Sequence, residues 1–255
     1  MPQARDKQAE PKPVSGVICF EEGDFHSLSD GLCRDPQYND RRLLARRRLA
    51  ALGKEVVRRA KGEVALDSRT SLHNPNQFNG MAVRRLWTYI CRAKPEKRRL
   101  KGVLGSDLGK DLDAAFRNAY LCLAIEPDAL EVSLRIHPDG WYDGQNLLRR
   151  LEAEGRAKLL ELLNSLPGFQ LRMHDWKGDW RCGSLTPESL EEFLSYYKPG
   201  EHRFAVEHRL PAPPGARGMA LEEATVEAMV AECLRLLPLY RYAAWSQESD
   251  FLFSS

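Results

Sequence analysis

The segment from 67 to 80, DSRTSLHNPNQFNG, concentrates hydrogen-bonding side chains of the kind that line binding sites. Its density of Asn, Ser, Pro and Gly predicts a loop, and that loop is longer than an ordinary connection. Two interpretations remain open: a binding role, or a loop whose side chains only satisfy its own backbone. The candidate site residues in it are Arg69, His73, Asn74, Asn76 and Asn79.

The same loop is the centre of an alternative, a metal-dependent hydrolase or nuclease. In that alternative, His73 would act together with carboxylates such as Asp24, Glu131 and Asp139 in the active site. The histidine spacing argues against it, because no H-x-x-x-H or H-E-x-x-H pattern places two ligands on one helix face. We therefore predict no metal and no cofactor. The absence of a P-loop, a G-x-G-x-x-G and a G-x-S-x-G motif argues against nucleotide-driven and serine-hydrolase chemistry.

Basic residues give the strongest physical signal. At about 100° per residue, Arg47, Lys54, Arg58 and Lys61 stay within about 60° of one another on a predicted helix. A second basic group flanks or follows the next predicted strand; it comprises Arg84, Arg85, Arg98 and Arg99. Arginine suits planar, bidentate contact with phosphate. The sequence thus predicts a binding or interaction protein whose partner is nucleic acid or an acidic protein, in one version as a subunit of a larger bacterial assembly.

The charge is distributed unevenly along the chain. Residues 1–110 hold 23 Lys and Arg against 13 Asp and Glu, whereas residues 111–255 hold 15 against 23. The first part therefore carries a net +10 and the second a net −8. Such an asymmetry fits a basic surface for an acidic partner, but it also fits two halves that attract each other.

Composition bounds the class of protein and its compartment. No apolar run approaches the roughly 20 residues that span a bilayer, and Met1 to Pro13 lack the apolar stretch of a secretory signal. The six cysteines form no C-x-x-C pair, which is typical of reduced, buried thiols. We expect a cytoplasmic protein with no membrane partner.

The elements that must position these residues favour an α+β fold, with helices packed on an antiparallel sheet. A helix is predicted over about 40–61, with Ala45, Leu49, Leu52, Val56 and Ala60 on its apolar side. Other helices are predicted near 107–118, 144–166, 186–197 and 221–237, and strands near 81–93, 169–174, 179–182 and 204–210. The segment KPEKRRLKG is predicted to be a connection. Residues 1–14 are expected to form a flexible arm and 15–255 a single compact domain.

Strands at 120–125 and 129–137 are predicted to pair as an antiparallel hairpin. In the second strand, apolar residues at 130, 132, 134 and 136 alternate with Glu131, Ser133 and Arg135. Alternation of this kind is typical of a half-exposed strand, so these three polar residues are expected to face solvent. Further along, Trp176 and Trp180 flank a turn and could stack on a ring-shaped ligand or pack in the core.

The N-terminal third resembles the YktB-like family of uncharacterised bacterial proteins. The shared features are Phe20-x-x-x-Asp24-Phe25, then Gly31-Leu32, and an Arg-rich helix that ends near Leu52-Gly53. The Asn-Pro segment Asn74-Pro75-Asn76 then precedes the aromatic strand Trp87-Thr88-Tyr89. The resemblance covers about residues 17–90. It implies a small α+β fold built on an antiparallel sheet, and it implies no activity.

Deletion of residues 1–14 is expected to leave the melting temperature within about 2 °C of that of the full chain. The segment has too little apolar surface to offset the entropy of ordering it. Thermal denaturation of the two proteins measures this, and a deletion variant that does not fold would contradict it.

Overall fold

The strands of the computed structural model form one antiparallel sheet. The structure describes residues 19–174, 176, 178–212 and 225–253, so the predicted arm at 1–14 lies outside the described residues. The seven strands lie in the order β1-β2-β3-β4-β7-β5-β6. Their bounds are β1 Leu66–Thr70, β2 Leu86–Arg92, β3 Tyr120–Ile125, β4 Ala129–Ile136, β5 Gln170–Met173, β6 Trp180–Arg181 and β7 Phe204–Pro211.

Helices pack against this sheet, and the combination confirms the α+β class. Their bounds are α1 Glu22–His26, α2 Asn39–Ala60, α3 Lys94–Leu108, α4 Trp141–Glu154, α5 Ala157–Asn164, α6 Pro187–Tyr196, α7 Val226–Arg235 and α8 Leu237–Ala243. One large apolar cluster runs through most of these elements, so the described residues form a single domain. Among the described helices, none combines the length and the apolar character that crossing a bilayer requires.

Helix α2 matches its prediction closely. The five residues of its predicted apolar side are all buried. Gly53 faces the sheet, and a Cβ atom there would lie 2.4 Å from Thr88 Cγ2 and 3.2 Å from Ser68 Cβ. A glycine at this position therefore lets α2 lie directly on β1 and β2.

The two faces of the sheet differ because side chains alternate along each strand. The face toward the helices, here called the inner face, carries Leu123, Val132, Val206 and Leu171 and forms the main core. Helix α2 packs on β1 and β2, and α7 packs on β3 and β4. The opposite face, here called the outer face, carries Tyr89, Cys122, Ser133, Glu207 and Gln170 in one continuous row across neighbouring strands.

The predicted exposure of Glu131, Ser133 and Arg135 is wrong. Every residue of β4 is buried, and Glu131 and Ser133 have no exposed surface. The alternation itself is present, since these three residues do lie on the outer face. Arg85 and Arg135 pair with the charge of Glu131, and Arg135 also pairs with Glu207. The Ser133 hydroxyl donates to Glu131. A binary pattern reports which face a residue takes, and not whether charged neighbours cover that face.

Several predicted boundaries are also corrected. The segment KPEKRRLKG opens α3 and is not a connection, while 107–118 holds only the end of α3 and a single 3-10 turn at Ala115–Arg117. Residues 67–70 of the predicted loop belong to β1, since they pair with β2. Tertiary pairing overrides the weak strand propensity of this polar sequence.

The remaining corrections concern the ends of two predicted helices and the start of one strand. The predicted helix over 144–166 is two helices, since Gly155 at φ +79° ends α4. The strand predicted from 81 begins at Leu86. The final predicted helix also divides, because Pro238 stands in the first turn of α8 and Arg235 ends α7.

Leu134→Ala is expected to lower the free energy of unfolding by about 2–4 kcal/mol, because Leu134 has no exposed surface in the main core. Leu44→Ala is the matched control; Leu44 is 45 % exposed on α2, and its loss is expected to cost under about 0.5 kcal/mol. Urea unfolding of both variants measures the difference, and equal costs would contradict the assigned burial.

Candidate functional site

The predicted basic face of α2 is exposed. Arg47, Lys54, Arg58 and Lys61 all lie at the surface. Arg58 is neutralised by Glu55, with its Nη2 2.6 Å from the Glu55 Oε1. Within the described ranges, the other three cations make no ion pair. These three therefore offer free positive charge to a partner.

Most other arginines of α2 hold the structure together. Arg41 and Arg48 pair with the fully buried Asp24, at 2.7 Å and 2.6 Å. The fully buried Arg42 donates to four backbone carbonyl oxygens and one side-chain oxygen. Arg46 donates to a carbonyl of the following loop at 2.7 Å. A basic stripe read from sequence therefore overstates the charge that α2 offers to a partner.

Contact between the basic and acidic halves does occur, at Arg59. Its two Nη atoms lie 2.7 Å from the two carboxylate oxygens of Glu227 on α7. This bidentate pair ties α2 to the C-terminal region. Part of the charge asymmetry is thus used inside the molecule.

The second basic group is dispersed. Arg84 is exposed, with its Nε 3.4 Å from Asp30 Oδ1. Arg85 reaches the outer face of the sheet, where it pairs with Glu126 and Glu131. Arg98 and Arg99 are exposed on α3. These four arginines therefore do not form one surface with those of α2.

The polar loop residues mostly serve the loop itself. Asn76 and Asn79 cap each other around the turn Gln77–Asn79, and Asn79 Nδ2 donates to the carbonyl of Asn74. The carbonyl of His73 accepts from Arg42. Burial and the charges of the nearby α2 arginines lower the pKa of His73, which keeps its ring neutral at pH 7. Arg69 lies apart from them, exposed on the outer face of β1.

The carboxylates proposed for a hydrolase lie with separate partners. Asp24 pairs with arginines of α2, Glu131 pairs with arginines on the outer face, and Asp139 lies 3.6 Å from His137 Nδ1. In the part of the chain that the structure describes, no three His, Cys, Asp or Glu residues group as metal ligands would. The geometry gives the metal-dependent alternative no assembled site among these residues.

An aromatic ladder lies on the outer face at the β2 side of the sheet. The rings of Trp87 and Tyr89 stack with centroids 3.8 Å apart, and Tyr120 continues the row 4.3 Å from Tyr89. Trp87 pairs with Ala124 and Tyr89 with Cys122 across the ladder of β2 and β3. Small residues on β3 thus leave room for large rings on β2. Trp87 and Tyr89 remain partly exposed.

Beside the aromatic ladder lies a network of charges, here called the outer-face ion network. Its acceptor at the centre is Glu131, which lies 2.8 Å from both Arg85 Nη2 and Arg135 Nη2. Arg135 also pairs with Glu207 at 2.7 Å. Burial raises the pKa of Glu131, but the charges of Arg85 and Arg135 and the Ser133 hydroxyl outweigh burial and hold it below its ordinary value.

A cavity of about 330 Å³ opens at the β5 side of the same face; its lining includes Arg135, Arg172, Arg203, His174, Trp176 and Glu207. Its three arginines face one glutamate. Trp176 is half exposed and stacks on Tyr196 with centroids 4.8 Å apart. Such a cavity can hold an anionic group on guanidinium donors and a flat ring against the indole.

Sequence reasoning missed the outer face as a site. A signal was present, because Trp87 and Tyr89 stand two residues apart in a strand and so share a face. Of the two tryptophans singled out near the turn, Trp180 packs in the core and Trp176 is exposed. The arginines at 135, 172 and 203 come from three elements, so only the register of the strands brings them together.

Glu131→Gln is expected to lower the free energy of unfolding by about 3 kcal/mol at pH 7, since it leaves buried arginine charge without its partner. The folded pKa of Glu131 is depressed, so its contribution is present above about pH 4.3 and is lost as the pH falls through the folded pKa. The gap between variant and parent should therefore shrink in acid. Glu201→Gln, at an exposed carboxylate, is the control, and urea unfolding between pH 3 and 7 is the measurement. A gap independent of pH would contradict this assignment.

Comparison of the sequence with models of known protein families finds no match, and comparison with curated proteins finds no relative either. The resemblance of residues 17–90 to the YktB-like family therefore stays a prediction.

Proposed function

We propose that this protein binds single-stranded nucleic acid across the outer face of its sheet. The observation that carries the proposal is the aromatic ladder of Trp87, Tyr89 and Tyr120 beside arginines on an antiparallel sheet. Unpaired bases stack on aromatic side chains, whatever their sequence, and guanidinium groups bind the phosphates between them. A duplex has no free base faces to offer such a ladder.

The dimensions of the face suit an extended strand. Trp87 lies on β2, and the cavity of Trp176 lies beside β5, four strands away in the sheet order. Four spacings of about 4.8 Å give about 19 Å between the two aromatic positions. A single strand of a few nucleotides covers that distance, so bases would stack at both ends of the face.

The charge of the face supports contact with phosphate between these ends. Its cations outnumber its carboxylates; they are Arg69, Arg85, Arg135, Arg172, Arg203 and Arg209, against Asp67, Glu126, Asp128, Glu131 and Glu207. Ion pairs with these carboxylates hold Arg85, Arg135, Arg172 and Arg209 in fixed positions. A phosphate then meets donors that are already oriented, which lowers the entropic cost of binding.

A second candidate is an acidic protein partner that binds the solvent-exposed side of α2. The exposed cations Arg47, Lys54 and Lys61, which make no ion pair in the described ranges, favour it. This surface carries fewer unpaired cations than the sequence predicted. It lies on the helical side of the sheet, so its variants can be separated from those of the outer face.

A cytoplasmic location is part of the proposal. All six cysteines are free, and each is buried. Free thiols are typical of a reducing compartment.

Trp87→Ala is expected to weaken binding of a fluorescein-labelled single-stranded oligonucleotide by about 5- to 150-fold, the loss of about 1–3 kcal/mol for one stacked base. Phe78→Ala is the matched control, because Phe78 is an aromatic side chain 92 % exposed in the loop before β2. Fluorescence anisotropy at low salt, with RNA and DNA single strands and a duplex, measures the affinities. Equal loss in both variants, or preference for the duplex, would contradict the proposal.

Charge reversal of Lys54 and Lys61 separates the two candidates. Binding to the single strand should persist in this variant, because both residues lie away from the outer face. If the pair contacted duplex phosphates, the log–log salt slope would flatten by about 1.8, from about 0.9 per contact. If this variant lost single-strand binding while Trp87→Ala bound as the parent does, the binding site would lie on α2.

A further inference from the structure

A second cavity, on the inner side of the sheet, has no part in the proposed function. It holds about 650 Å³ and lies where the end of β2 meets α3, α5, α8 and the segment after α8. Arg92, the last residue of β2, lines it, and so does Trp245. A volume of this size suits a small molecule.

Arg92 is a buried cation whose hydrogen bonds are only partly used. It is 3 % exposed, and its Nη2 donates to the fully buried Asp143. Asp143 also accepts from the backbone N–H groups of Ala119 at 2.6 Å and Trp245 at 2.7 Å. Arg92 Nε and Nη1 are buried without a hydrogen-bond partner in the described ranges. Asp143 therefore balances the charge of Arg92 but leaves donors free.

Trp245 adds a further free donor on the same cavity. Its side chain is 4 % exposed, and its indole Nε1 is buried with no acceptor in the part of the chain described. Buried donors in proteins are nearly always paired, so donors on two side chains of one cavity call for an acceptor group placed between them. An indole N–H only donates, and so does a guanidinium. The hydroxyls of Tyr240 and Tyr242, in the lining of the same cavity, are also buried without a partner among the described residues, so this group of polar atoms is open to a bound molecule that supplies an acceptor.

The charges at the rim of the cavity are largely paired. The four cations there are Arg99, Arg150, Lys158 and Arg241, and they pair with Glu96, Glu154, Glu161 and Glu63 respectively. The walls are partly apolar, with Leu162, Pro238 and Tyr240 among them. A bound molecule would thus combine an acceptor group for Arg92 and Trp245 with an apolar body.

We propose that this cavity binds a small organic oxyanion, with a carboxylate or phosphate group on Arg92 and Trp245 and its apolar body against Tyr240 and Leu162. Arg92 and Trp245 both provide hydrogen-bond donors. Carboxylate and phosphate share this chemistry, and the experiment below separates them. The site stands apart from the outer face, since Arg92 lies on the inner face of β2, as Leu86 and Ile90 do.

The test titrates the full chain with phenyl phosphate and with benzoate at constant ionic strength. Calorimetry gives the affinity, and the indole N–H resonances in a ¹H–¹⁵N spectrum report the contact, with Trp245→Phe assigning its own signal. We expect one probe to bind with a dissociation constant below 1 mM and to shift the Trp245 resonance. The probe that binds more tightly identifies the anionic group.

Variants then separate the site from general charge attraction. Variants of Arg92 are avoided because Arg92 pairs with the buried Asp143, so they would change stability as well as binding. Trp245→Phe keeps an aromatic ring at this position and removes the indole N–H donor together with part of the ring, so it should weaken binding about tenfold. Trp141→Phe is the matched control and should bind as the parent does, because Trp141 does not line this cavity. Arg241→Gln should weaken binding a few-fold.

Three results would overturn the proposal. They are no binding of either probe at 10 mM, an unshifted Trp245 resonance at saturation, and equal affinity in Trp245→Phe and Trp141→Phe. The Trp87→Ala variant should keep the affinity of the parent for the probe. The affinity of Trp87→Ala for the probe therefore tests the cavity separately from the nucleic-acid site proposed on the outer face.

Discussion

Glu131 lies in the middle of a seven-stranded sheet with no exposed surface, so its charge must be balanced by residues that reach it across the outer face. Arg85 from the loop before β2 and Arg135 from β4 both do so at 2.8 Å. The cost of burying an unpaired carboxylate is several kcal/mol, which fixes where these arginines stand. Because they are held there, the outer face keeps a constant pattern of charge beside its aromatic ladder.

The arginines of this chain fall into two roles that their number alone does not separate. Arg42 and Arg92 are buried and organise backbone or a partner carboxylate, whereas Arg47 is exposed. Arg92 stands between the roles, since Asp143 accepts from its Nη2 while its Nε and Nη1 are buried without a partner among the described residues, beside a cavity that Arg92 helps to line. A cation that is held by a carboxylate and still has free donors can bind a ligand without reorganising.

The two proposed sites use the two sides of one strand. Along β2, Trp87 and Tyr89 point to the outer face, while Leu86, Ile90 and Arg92 point to the inner face. The outer side meets no core helix at its centre among the elements described, and the inner side ends where α3, α5 and α8 leave a cavity. One strand therefore joins a broad surface suited to a polymer with a cavity suited to a small molecule.

The sequence by itself determined the α+β class, the span and buried side of α2, and the alternation of β4, because apolar periodicity follows directly from helix and strand geometry. It also placed Trp87 and Tyr89 on one side of a strand. Only the tertiary structure decided that Glu131 is buried, that Arg41, Arg48 and Arg59 are neutralised, and that Arg92 and Trp245 meet in a cavity. These outcomes depend on contacts between residues up to 168 positions apart, such as Arg59 with Glu227, and local periodicity carries no information about them.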